Sequence, residues 1–137
     1  MFKIDRIDHI GIAVPNLEEA KKFYTEILGM EASGEEVVEE QSVKVCFIPS
    51  GDSEVELLES TTPEGPIAKF LEKNGGRSGI QHIALRVDDI EQTLADLKAK
   101  GVRMIDEKPR YGAGGSSIAF VHPKMSGILV ELCQRNK

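Results

Sequence analysis

Two stretches decide how this chain folds: DHIGIAVPNLEEA at residues 8–20 and QHIALRVDDIEQT at residues 81–93. They align without gaps at an offset of 73, the step from Asp8 to Gln81, which sets His9 on His82, Ile10 on Ile83 and Val14 on Val87. Further on, VELL at 55–58 matches VELC at 130–133 and brings Glu56 onto Glu131. An internal repeat of this kind means one supersecondary unit built twice. Each copy opens on a histidine strand and closes on a glutamate strand. The chain holds only three histidines, and two of them fall on equivalent positions.

Each copy predicts the element order β-α-β-β-β. Asn16 is placed to cap a helix, with Glu19 three residues on and Leu17, Ala20, Phe23, Ile27 and Leu28 at helical spacing up to Gly29. In the second copy Asp89 caps, Gln92 follows, and Ile90, Leu94 and Leu97 form the apolar stripe up to Gly101. Strands are expected at 35–39, 43–48 and 54–58, and again at 102–105, 118–121 and 128–133. The chain thus reads as a single domain over residues 1–137, with a first module at 5–60, a connector at 61–79 and a second module at 80–134. The connector, marked by Pro63, Pro66, Gly75, Gly76 and Gly79, holds a short helix around 67–73. The fold class is α+β: two βαβββ modules in tandem forming a cupped mixed sheet, with the helices on its outer face.

Composition narrows the function. The 137 residues are 40% hydrophobic and 29% charged, which is the make-up of a globular chain. With 17 Lys and Arg against 23 Asp and Glu, the net charge of -6 argues against nucleic acid as a partner. No apolar run approaches the ~20 residues of a membrane span, and the first residues lack a signal-peptide core. Cys46 and Cys133, flanked by aliphatic residues, read as reduced core cysteines of a cytoplasmic protein.

Strand alternation then sorts the side chains. Ile10, Ile12 and Val14 share one face of their strand, and His9, Gly11 and Ala13 the other. Ile83, Leu85 and Val87 likewise oppose His82, Ala84 and Arg86; Val55 and Leu57 oppose Glu56, and Val130 and Leu132 oppose Glu131. The aliphatic faces should pack under the helices, leaving His9, His82, Glu56 and Glu131 together on the other side. Two imidazoles and two carboxylates suit a divalent metal such as Zn, Co, Mn, Ni or Fe(II). A lone strand histidine is more often a core residue, but the repeat-related recurrence of all four favours a metal site. His122 has no repeat partner and reads as a pocket wall. Gly112, Gly114 and Gly115 with Ser116 and Ser117 read as a flexible pocket loop.

This pattern resembles the vicinal oxygen chelate superfamily. Within it, DHIGIAVPNLEEAKKFY (8–24), PIAKFLEKNGG (66–76), QHIALRVDDIE (81–91) and YGAGGSSIAFVHPKMSGILVEL (111–132) resemble the methylmalonyl-CoA epimerase family along essentially the whole chain. The resemblance implies metal ligands His9, His82 and Glu131, with Glu56 at a fourth position that is Gln in some members. It implies a CoA thioester as substrate, a homodimer, and proton transfer at C2 of the methylmalonyl group through a metal-stabilised enediolate that interconverts the R and S epimers. Glu131 would be one acid–base residue. The family's second one falls on the strand SVKVCFIP, where Lys44 is expected to point into the cup. Arg86 is expected to pair with the substrate carboxylate or with a neighbouring acid, and Ser116, Ser117 and His122 are expected near substrate. The rival readings are a glyoxalase I-type lactoylglutathione lyase, a metal-free small-molecule binding module of the same fold, and an Fe(II) oxygenase.

Overall fold

A computed structural model describes residues 2–136. The first module runs β1 (Ile4–Ala13), α1 (Leu17–Lys22), β2 (Gly34–Val38), β3 (Val43–Ser50) and β4 (Ser53–Ser60). After the connector helix α2 (Pro66–Lys73) the second module runs β5 (Gly79–Val87), α3 (Ile90–Ala99), β6 (Arg110–Tyr111), β7 (Ser117–Val121) and β8 (Val130–Gln134). The predicted β-α-β-β-β order holds in both copies. The chain divides into two compact units, one spanning His9–Gln81 and the other joining the residues up to Asp8 to those from His82 onward. Hydrogen-bonded neighbours run β2-β3-β4-β1 in the first and β1-β5-β8-β7-β6 in the second. Each unit mixes one parallel pair, β1 with β4 or β5 with β8, with antiparallel ones.

Both helices start where the sequence places them. Asn16 Oδ1 accepts from Glu19 N–H at 3.0 Å, and Asp89 Oδ1 accepts from Gln92 N–H at 3.1 Å. A second device, also repeated, pins each first turn to its sheet. Leu17 N–H donates to Glu59 Oε1 at 2.6 Å, and Ile90 N–H donates to Gln134 Oε1 at 2.7 Å. Glu59 and Gln134 each stand three residues after the strand glutamate of their copy. Gly29 and Gly101 end the two helical segments at φ 74° and 76°, a conformation that favours glycine.

Two expectations need correction. The first helix is not regular to Gly29: after Lys22 it widens into a π-helical turn, Phe23–Ile27. Thr25 Oγ1 donates back to Lys21 O at 3.0 Å within that turn, a bond that competes with the regular helical ladder. The strand expected at 102–105 shrinks to a bridge between Met104 and Val121. Ile105 N–H still bonds Phe120 O at 2.9 Å, but Phe120 N–H is taken by Asp106 Oδ2 at 2.9 Å. A carboxylate thus stands where a ladder carbonyl would have to, and the edge of β7 is covered instead by the two-residue β6.

The cores follow the predicted faces. Under α1, Val14, Leu17, Cys46, Ile48 and Leu57 are buried together with Ile12 and Val55 packed on them. Under α3, Val87, Ile90, Leu94, Ala119 and Leu132 form the equivalent cluster. Cys46 and Cys133 are free and buried, and burial pushes both thiols up. Among the described residues no helix is long and apolar enough to cross a membrane.

Candidate active site

On the face turned away from α1, His9 and Glu56 form a buried pair, His9 Nδ1 to Glu56 Oε2 at 3.4 Å. The parallel β1–β4 register sets Gly11 beside Glu56 and His9 beside Glu54, so the small residue leaves room for the carboxylate to reach the imidazole. The ligand atoms of His9, Glu54 and Glu56 lie within 4.8 Å of one another. Glu54 was absent from the sequence-based set. Its signal was available in the alternation of SEVEL, which puts it on the face of Glu56.

The second unit repeats the device on the face turned away from α3. His82 Nε2 lies 3.2 Å from Glu131 Oε1, and both are buried. Here Ala84 stands beside Glu131 in the parallel register, the counterpart of Gly11 beside Glu56. The Phe120 ring, opposite Glu131 on β7, meets the His82 ring edge-on with centroids 5.6 Å apart. Ala84, Ile118, Phe120 and Cys133 are buried on this face and give it an apolar floor. Cys133 stays a thiol there: burial raises its pKa first, and the charges of Asp8 and Glu131 add to the effect.

Lys44 is not on the histidine face. The β3–β4 register pairs Val45 with Leu58 and Phe47 with Glu56, so Val43, Val45 and Phe47 share the face of Glu56. Lys44, of the opposite parity, lies with Cys46 and Ile48 on the α1 side. Its Nζ is 3.3 Å from Glu35 Oε1, and the other oxygen of Glu35 meets Lys21 Nζ of α1 at 3.2 Å. Burial alone would raise the Glu35 carboxyl, but the two lysines outweigh it and hold the group below its ordinary value. The expectation that Lys44 points into the site is therefore overturned. The register error is one residue, which is enough to change face. On that face β2 instead contributes Glu36, which pairs in register with Val45.

The remaining candidates are committed to internal contacts. Asp8, with no exposed surface, accepts from Arg86 Nε at 2.8 Å and from Arg135 Nε and Nη2 at 2.8 and 2.7 Å. Arg86 therefore adopts the ion-pair alternative. The glycine loop is tied down: Gly112 N–H bonds Ser116 O at 2.9 Å, Ser116 Oγ donates to Ala113 O at 3.1 Å, and Asn136 Nδ2 reaches Gly115 O and Ser117 Oγ at 2.8 and 3.1 Å. A Cβ at Gly112 would come within 2.5 Å of Ile118 Cγ2, so no other residue fits there unchanged. His122 Nδ1 accepts from Lys124 N–H at 3.1 Å and caps a short turn; burial, then the charges of Arg103 and Lys124, lowers its pKa.

Within each unit a buried imidazole stands against a buried carboxylate with a small residue beside it, donor chemistry that suits a divalent metal. A family model for the Glyoxalase/Bleomycin resistance protein/Dioxygenase superfamily matches residues 8–120, and the chain belongs to that superfamily. It is 41% identical over 135 residues to the mitochondrial methylmalonyl-CoA epimerase of Homo sapiens, covering 98% of this chain and 76% of that one. The crystal structure of methylmalonyl-CoA epimerase from Mycobacterium tuberculosis superposes with a TM-score of 0.92 at 35% identity, covering 98% and 90% of the two chains. A methylmalonyl-CoA epimerase in complex with methylmalonyl-CoA and NH4+ superposes with a TM-score of 0.89 at 40% identity, covering 96% and 95%.

Proposed function

We propose that this protein is a metal-dependent methylmalonyl-CoA epimerase, which interconverts the R and S thioesters by proton transfer at C2. The observation that carries the reading is the pair of repeat-related, buried His–Glu contacts, His9 with Glu56 and His82 with Glu131. It is supported by the full-length similarity to proteins bearing that name. His9, His82 and Glu131 are assigned as metal ligands and Glu56 as the fourth. A divalent cation there supplies Lewis-acid stabilisation of the negative charge that develops when the C2 proton leaves.

The chain's own residues carry the proton. Glu131 takes it from C2 or returns it on one face of the substrate. Its neighbour His82 fixes the direction of one carboxylate oxygen, and the apolar floor of Phe120, Ile118 and Ala84 keeps water from competing for the carbanion. Inversion needs a second proton group on the other face. With Lys44 turned toward α1, the groups that β2–β4 offer for this transfer are Glu36 and Glu54. The same reading extends to a homodimer, which sedimentation equilibrium at several concentrations tests.

The deciding experiment incubates metal-reconstituted protein in deuterated water with single-epimer methylmalonyl-CoA and, separately, with the methylglyoxal–glutathione adduct. Epimerisation with deuterium at C2 is expected. Formation of lactoylglutathione alone would sink the proposal.

A further inference from the structure

Arg110 sits at the start of β6, opposite Ile118 of β7, and β7 in turn sets Phe120 opposite Glu131 of β8. Directly opposed residues of antiparallel strands share a face. Arg110 therefore projects from the same face as Ile118, Phe120 and Glu131. Its guanidinium lies over the Phe120 ring with Cζ 5.5 Å from the centroid, and the edge contact of that ring with His82 is 5.6 Å between centroids. One phenyl ring thus links Arg110 to the His82–Glu131 pair.

The guanidinium is not fully engaged. Arg110 Nε is buried and has no hydrogen-bond partner among the described residues. The nearby acid, Asp106, has Oδ1 3.4 Å from it, an ion pair that does not meet hydrogen-bond geometry, while Oδ2 is held by Phe120 N–H at 2.9 Å. Native proteins rarely leave a buried donor unpaired, and a site awaiting a ligand is one place where they do. Arg86 and Arg135, by contrast, are bound to Asp8.

We propose that Arg110 binds the free carboxylate of the acyl-thioester substrate, an assignment that rests on the epimerase reading. A guanidinium offers parallel N–H donors that match a carboxylate, and stacking on Phe120 restrains its plane. The alternative anion, a phosphate of the CoA nucleotide, is separated from the acyl carbons by the whole pantetheine arm, whereas Arg110 stands one ring from His82. Bound there, the carboxylate fixes the rotation of the acyl group about C2 and so decides which face of that carbon is presented to Glu131.

The test compares wild type with Arg110→Met and Arg110→Lys. Steady-state rates are measured on methylmalonyl-CoA and on methylmalonyl-pantetheine, which lacks the nucleotide, and inhibition constants are measured for propionyl-CoA, which lacks the carboxylate. Arg110→Met is expected to lower kcat/KM about 10- to 100-fold on both methylmalonyl thioesters, chiefly through KM, with propionyl-CoA inhibition unchanged. Arg110→Lys should recover part of the loss, and it carries the comparison if the Met variant does not fold. A loss confined to the full CoA thioester would assign Arg110 to a phosphate and overturn the proposal, as would a parallel loss of propionyl-CoA affinity or wild-type kinetics in Arg110→Met. Wild-type protein with no epimerase activity at all would instead bring down the functional reading, and the carboxylate assignment with it.

Discussion

The two halves of this molecule execute one plan with different outer strands. In the unit spanning His9–Gln81, β2 pairs with β3 over five residues and carries Glu36 on the histidine face. In the other unit the equivalent place holds only Arg110–Tyr111, because Asp106 occupies a ladder position and the tight turn at Gly112 cuts the strand short. From its edge strand one half gives that face a carboxylate, Glu36, and the other gives it a cation, Arg110. The shared parts are the caps, the helix pins and the His–Glu pairs. Duplication therefore kept what orients the site and let the outer strands diverge toward different tasks.

The comparison breaks most sharply at the glutamates. Glu131→Gln should lower turnover by about 10³-fold with the fold retained, while Glu56→Gln should cost far less, since Glu56 is not assigned to proton transfer and an amide oxygen there can still bond His9. Equal losses in the two variants, read as kcat with far-ultraviolet circular dichroism as control, would mean the halves contribute alike.

Next in size is the Arg86–Asp8–Arg135 cluster, a contact of the second unit. Asp8→Ala leaves two half-buried guanidinium groups without their carboxylate and should cost about 3 kcal/mol in urea unfolding. A cost within error of zero would show that solvent replaces the lost partner. The helix pins should be nearly equivalent: Glu59→Ala and Gln134→Ala are each expected to cost about 1 kcal/mol, because each orphans one first-turn N–H. A large inequality would show that the two helices do not bear equal weight.

The smallest effect concerns Lys44. Lys44→Ala should leave epimerisation unchanged and cost under about 1 kcal/mol, the range of a partly exposed ion pair. Because the Glu35 carboxyl is held below its ordinary 4.5, its stabilisation is present above about pH 4.5 and is lost as the pH falls through the folded-state value. The variant should therefore show a shallower acid loss of stability than wild type. A large drop in turnover would return Lys44 to the mechanism.

Much of this was legible in the residues themselves. Local periodicity and capping chemistry determine that His9, His82, Glu56 and Glu131 stand on strands, on the faces opposite the helix-packed aliphatic residues, because alternation and N-cap bonds act over a few residues. The repeat adds the equivalence of the halves, and the resemblance it carries names the family. What neighbouring residues could not determine depended on partners distant in the chain. Lys44 goes to the α1 side because strand pairing places it with Glu35 and Lys21. Arg86 is drawn to Asp8, 78 residues away, and is not left for substrate. The strand expected at 102–105 gives way because the Asp106 side chain takes the Phe120 N–H. In each case a charged side chain chose among partners that only the folded sheet brings within reach, and the energy of that choice has no signature in the local sequence.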